Sequence, residues 1–214
     1  MAAGTPPRLT PEQYLEIEEQ GGFKSEYLAG QMRPVDRPLP TQSSILSHHQ
    51  HGEIIANVVR LIGNAVVGQS WRVVARDMRV LISETRRALY PDIVVYRDGS
   101  WLDDKQDTLL DPRLILEVKS PATEAFDRGE KFRHYRRLPS LTDYILVSQD
   151  SSLIEQYHRD GENWLLTEIG PTTPGGTTPE GTLVLANLGI QIAAADIYAG
   201  VALGPAAGPE IRMG

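Results

Sequence analysis

The chain has no cysteine, so disulfides and thiolate metal sites are both excluded, and a reducing compartment is the natural setting. It has few lysines: Lys24, Lys105, Lys119 and Lys131 are all there are, and every other basic residue is arginine. No run approaches the roughly 18 uninterrupted apolar residues that a membrane-spanning helix requires. The first eleven residues carry one arginine and no apolar stretch, so no secretory signal is expected there. A basic excess is also lacking. The formal net charge is -7, which counts against a large nucleic-acid footprint unless acids are concentrated at a site that binds cations. What remains is ordinary: 214 residues, 41% hydrophobic and 23% charged, as expected of a soluble cytoplasmic protein with one core.

The organising stretch is Leu114-Ile115-Leu116-Glu117-Val118-Lys119-Ser120. Side chains alternate faces along a strand, so Glu117 and Lys119 are expected side by side with Val118 opposite. Upstream, Tyr90-Pro91-Asp92-Ile93-Val94-Val95-Tyr96 reads as a second apolar strand that opens on an acid. Around these, Thr10-Pro11-Glu12 starts a helix with Thr10 as N-cap, and Ala29-Gly30 turns a hairpin. A long helix is expected from Ser47, because Ile54, Ile55, Val58, Leu61, Ile62 and Ala65 recur at three- and four-residue spacing. Strands are read at 71–75, 78–82, 144–147, 153–158, 164–169 and 183–185, and helices at 126–138 and 193–201. The fold class is α/β or α+β, a mixed β-sheet flanked by helices, in one domain over 11–203 with flexible tails at 1–10 and 204–214.

Two acids and a lysine on buried strands make a minimal kit for metal-assisted phosphodiester cleavage. Mg²⁺ favours carboxylate and water oxygens and leaves positions open for substrate. Asp92 and Glu117 would be its ligands, and Lys119 would orient or deprotonate a water or stabilise developing charge. Repulsion from the metal would lower the lysine pKa. A plainer reading stands beside this one. A Glu-x-Lys triplet arises by chance about once in a chain of this length, and Asp103-Asp104-Lys105 repeats the spacing in a polar loop. Glu117 and Lys119 could be a simple ion pair at a strand end. Ser47-His48-His49-Gln50-His51 places His48 and His51 on one helix face, but no second cluster has zinc-ligand spacing.

Four blocks taken together resemble the Uma2 family, a branch of the PD-(D/E)xK nuclease superfamily. They are Glu26-Tyr27-Leu28-Ala29-Gly30, His51-Gly52-Glu53-Ile54, Tyr90-Pro91-Asp92-Ile93-Val94-Val95 and Leu116-Glu117-Val118-Lys119-Ser120-Pro121. A fifth, Asp127-Arg128-Gly129-Glu130-Lys131-Phe132-Arg133-His134-Tyr135, matches the helix that follows. The similarity runs over about residues 10–200. It implies a restriction-endonuclease-like core and a Mg²⁺-dependent DNA endonuclease, with Mn²⁺ able to substitute. It also implies Asp92 and Glu117 as metal ligands, Lys119 as catalytic lysine, Lys131 as phosphate contact or support, and Glu26 as a further acid. Many Uma2-like sequences carry an apolar residue where Lys119 stands, and the helix lysine then substitutes. His51 would contact substrate or support a ligand. Tyr135 would share the face of Lys131 or join the core, and Asp127 would be a helix-start acid or a partner of the ligands. A homodimer is expected by analogy with double-strand cutters. The alternative is a non-catalytic nucleic-acid-binding or regulatory module that keeps the nuclease fold.

Overall fold

The computed structural model describes residues 8–21, 25–28, 30–34, 42–102, 104–121, 123–171 and 177–204. Helix α1 (Pro11–Gly21) begins on a capping box. Gln13 N–H donates to Thr10 Oγ1 (3.2 Å), and Thr10 N–H donates to Gln13 Oε1 (2.9 Å). Strands β1 (Ser25–Leu28) and β2 (Gln31–Pro34) form the expected hairpin. Gly30 is needed there, because its φ is 87° and a Cβ would stand 2.7 Å from that of Arg8. Helix α2 (Gln42–Ala65) starts five residues before the expected Ser47.

Strands β3 (Trp71–Ala75), β4 (Arg79–Ile82), β5 (Arg87–Leu89), β6 (Ile93–Arg97), β7 (Thr108–Leu109) and β8 (Leu114–Lys119) follow. Next comes a helical segment in three pieces: α3 (Glu124–Phe126), a π-helical turn (Asp127–Lys131) and α4 (Phe132–Tyr135). The chain continues through β9 (Asp143–Ser148), β10 (Ile154–Asp160), β11 (Asn163–Ile169), β12 (Thr182–Leu185), β13 (Ile190–Ala193) and α5 (Ala194–Ile197). The expected single helix at 126–138 is therefore shorter at its end and broken by the π turn. The sequence pattern does not reveal β5, β7 or β13, since two to four residues are too few to display a period of two.

Two sheets carry the molecule. One has the order β2-β1-β5-β4-β7 and the other β11-β10-β9-β8-β6-β3; β12 and β13 form a separate ribbon. In the larger sheet β8 and β9 are parallel and the other pairs antiparallel, the mixed arrangement that the alternation of strands and helices implied. Every residue of β8 and β9 is buried, as a central strand covered on both faces must be. Leu114, Leu116 and Val118 face a core shared with Ile54, Val58 and Ile62 of α2. Ile115 faces a second core containing Tyr135, Tyr144 and Leu146. Tyr14 stacks on Tyr27 at 5.1 Å, and Glu18 pairs with Arg79, which also bonds Thr108 (2.8 Å) and Asp107 (3.0 Å). These contacts fasten α1 to the smaller sheet. No described helix is long and apolar enough to cross a membrane.

Candidate active site

The register between β6 and β8 builds the first part of the site. Ile93 pairs with Leu116, so Asp92, one residue ahead of β6, lies beside Glu117. Asp92 N–H donates to Glu117 Oε2 (3.3 Å), and Val118 N–H donates to Asp92 Oδ2 (2.8 Å). His51 of α2 reaches across to place Nε2 3.1 Å from Asp92 Oδ1.

The π turn supplies the second part. Its closing bond runs from Phe132 N–H to the carbonyl of Asp127, five residues back. Such turns recur at functional sites because they aim side chains that a regular helix would distribute differently. Lys131 Nζ sits 3.0 Å from Glu117 Oε1, 3.5 Å from Asp127 Oδ1 and 3.7 Å from Glu26 Oε1 of β1. Tyr135 is fully buried and directs its hydroxyl to Glu117 Oε1 at 3.4 Å. Tyr144 donates to the carbonyl of Asp127 (2.9 Å), which fixes the turn against β9.

Asp92, Glu117, Glu26, Asp127, Lys131, His51 and Tyr135 are thus brought together, and Lys119 is not among them. It shares the face of Glu117 as strand alternation requires, yet its ammonium bonds Glu155 Oε2 (2.7 Å) and Glu124 Oε1 (3.0 Å). Arg128 grips the same Glu155 with Nε (2.9 and 3.0 Å) and Nη2 (2.7 Å), and also pairs with Glu124. Glu117 takes its amine from the helix. Asp127 is not the helix-start acid either; Thr123 holds the cap position and Asp127 opens the π turn, facing Lys131. Lys24, Asp103 and the side chain of His48 lie outside the described residues. Sequence reasoning missed Glu155, Glu124 and Arg128. Glu155 carried no signal, since an acid in a half-polar strand reads as solvated, yet it is 2% exposed.

Four carboxylates surround one ammonium. Burial, then the charges of Asp92 and Asp127, pushes the Glu117 carboxyl well above its ordinary range against the pull of Lys131. Burial and Asp92 likewise raise Asp127. Burial also opposes ionisation of Asp92, but the His51 hydrogen bond and charge, Lys131 and the Val118 amide outweigh it and hold that carboxyl low. Lys131 is held above its usual value, because the acids outweigh the cost of burying its charge.

The donor set suits a hard divalent cation, with carboxylate oxygens, no thiolate and an excess of negative charge. Among the described residues no group of three or more histidines and acids is disposed to hold a metal ion. Mg²⁺ does not demand such a cage, since it is commonly held by one or two carboxylates with waters and substrate phosphate completing the shell. Asp92 and Glu117 fit that role.

Comparison with known proteins gives the following. The family model named Uma2, described as "Putative restriction endonuclease", matches residues 11–195. An uncharacterized protein of Synechocystis sp., sll1609, is 32% identical over 171 residues, covering 79% of this chain and 92% of that protein. A second from the same organism, slr1290, is 33% identical over 199 residues, covering 92% and 94%. A crystal structure described as a "putative nuclease belonging to DUF820" from Anabaena variabilis superposes with a TM-score of 0.65 at 16% identity, over 89% of this chain and 97% of that one. That likeness shows the fold.

Proposed function

Given that the chain belongs to the Uma2 family, we propose that it is a Mg²⁺-dependent endonuclease that hydrolyses DNA phosphodiesters. The observation that carries this reading is the Asp92–Glu117 pair, set side by side by strand register, with burial holding the Glu117 carboxyl above its ordinary range. Asp92 and Glu117 would hold Mg²⁺, or Mn²⁺ in its place, and the bound cation would supply charge to the phosphate and a more acidic water. His51 and the Val118 amide fix the orientation of Asp92. Glu26 and Asp127 keep Lys131 charged and in place, so it serves as a donor to a phosphate oxygen or to the attacking water, not as a base. Tyr135 steadies Glu117. Lys119 could join only if Glu155 or Glu124 released it, so we assign the principal amine to Lys131. A homodimer in the cytoplasm, one protomer for each strand, completes the reading by analogy.

The test is cleavage of plasmid and of single-stranded DNA with Mg²⁺ or Mn²⁺. Wild type should cut and Asp92→Ala should not; equal background in both sinks the catalytic claim. One observation favours a second reading, a non-catalytic nucleic-acid-binding or regulatory module. Both oxygens of Asp92 and both of Glu117 already face protein donors. Mn²⁺ titration by calorimetry separates the two, since the module needs no cation.

A further inference from the structure

Outside the acid cluster, one place concentrates buried polar atoms that have no hydrogen-bond partner. They are Thr85 Oγ1, Arg87 Nη1 and both ring nitrogens of His134; Ser140 Oγ completes the set among the described residues. Leaving a buried polar group unpaired is costly, so several on neighbouring elements call for an occupant. Thr85 lies in the turn between β4 and β5, Arg87 opens β5, and His134 is on α4 with 6% exposure. Arg137 bonds Glu84 at 3.3 Å, which ties that turn to the end of the helix.

Charge at this place is opposite to that of the chain as a whole. Arg87 and Arg133 have no ion-pair partner among the described residues, and the carboxylate nearest His134, that of Glu130, is 3.9 Å away. Burial first, then the charges of Arg87, Arg133 and Arg137, holds His134 below its ordinary pKa, with Glu130 opposing. Burial lowers Arg87 too, and Arg133 adds to it against Glu130. Three guanidiniums therefore act on the His134 imidazole. The two carboxylates present, Glu84 and Glu130, are 59% and 39% exposed at the rim.

We propose that Thr85, Arg87, Arg133 and His134 form a binding site for a phosphate group. A guanidinium fork matches two phosphate oxygens, and a hydroxyl and an imidazole N–H supply further donors to a tetrahedral oxyanion. Water could satisfy the lone donors but not the unpaired charge. His134 follows Lys131 by three residues, about 4.5 Å of helix rise. Resting on the nuclease reading, the phosphate belongs to the strand that is cut, at a position next to the scissile one.

The experiment has two arms, both on the full chain. In the first, a labelled DNA duplex is bound in EDTA, so that nothing is cut, across a salt series. Arg133→Gln, which changes an exposed side chain, and Arg87→Gln should each weaken binding several-fold at every sequence and reduce the salt slope by about 1. Wild type that binds while both variants keep its affinity and slope overturns the site and leaves the nuclease reading intact. In the second arm, inorganic phosphate is titrated while the His134 ring signals are followed by NMR. Signals that move in wild type and not in Arg87→Gln uphold the site even where no DNA is bound, the outcome that defeats the nuclease reading alone. Signals that stay still in wild type overturn it.

Discussion

Two ionic clusters flank the end of β8, and they are balanced differently. Lys119 and Arg128 meet Glu155 and Glu124: two cations, two carboxylates, with Glu155 bonded by both cations. One strand position earlier on the same face, Glu117 joins Glu26, Asp92 and Asp127 about Lys131, with His51 set against Asp92. The consequence appears in the carboxyl groups. Burial disfavours the charge of Glu155, but Arg128 and Lys119 overcome it and hold its pKa low. For Glu117 burial wins and the value rises. A cluster that closes its own charge is built to hold strands and helix together. One in which burial raises a carboxyl has the pattern expected of a functional site, and in the proposed reading it is where the cation would bind.

The largest effect should come from opening the functional side. Asp92→Ala or Glu117→Gln should lower DNA cleavage on the order of a thousandfold. Glu117→Gln should also leave thermal stability unchanged or raised in the absence of metal, because it removes a buried charge that the fold carries without full compensation. In the balanced cluster the same chemical change should act in reverse. Glu155→Gln takes the buried carboxylate from Lys119, leaving it only the part-exposed Glu124, and should cost about 3 kcal/mol in urea unfolding. If the two substitutions destabilise equally, the distinction between the clusters is lost.

A pH series sharpens the contrast further. With its folded pKa held below the ordinary glutamate value, Glu155 contributes stability in full above about 4.5. That contribution is lost as pH falls through the lower folded value. The acid-side loss of stability in wild type should therefore be smaller in Glu155→Gln, measured by urea midpoints from pH 6 downward. Tyr135→Phe should have the smallest effect. Its hydroxyl is 3.4 Å from Glu117, a long hydrogen bond, so the loss should stay below about 1 kcal/mol in unfolding and within a few-fold in cleavage.

Much of this was legible in the chain. Asp92 and Glu117 could be placed together because each ends or opens an apolar run long enough to be a buried strand, and β6 and β8 are neighbours as expected. The Thr10 cap, the turn at Gly30 and the β10–β11 hairpin follow from local chemistry that tertiary structure did not override. The choice of lysine was not legible. Spacing of two puts Lys119 on the correct face, but its partner is decided by Glu155, 36 positions away and brought close by β9. Nor does periodicity reveal a π turn. A single extra residue in one helical turn leaves the apolar pattern of 126–135 intact while rotating Asp127 and Lys131 onto the acids.

The most direct test of the account is a calorimetric titration of Mn²⁺ into wild type, Asp92→Ala, Glu117→Ala and Glu155→Gln. Saturable binding in wild type and Glu155→Gln, lost in Asp92→Ala and Glu117→Ala, is the predicted result. Binding that survives Glu117→Ala, or none in wild type, would contradict it.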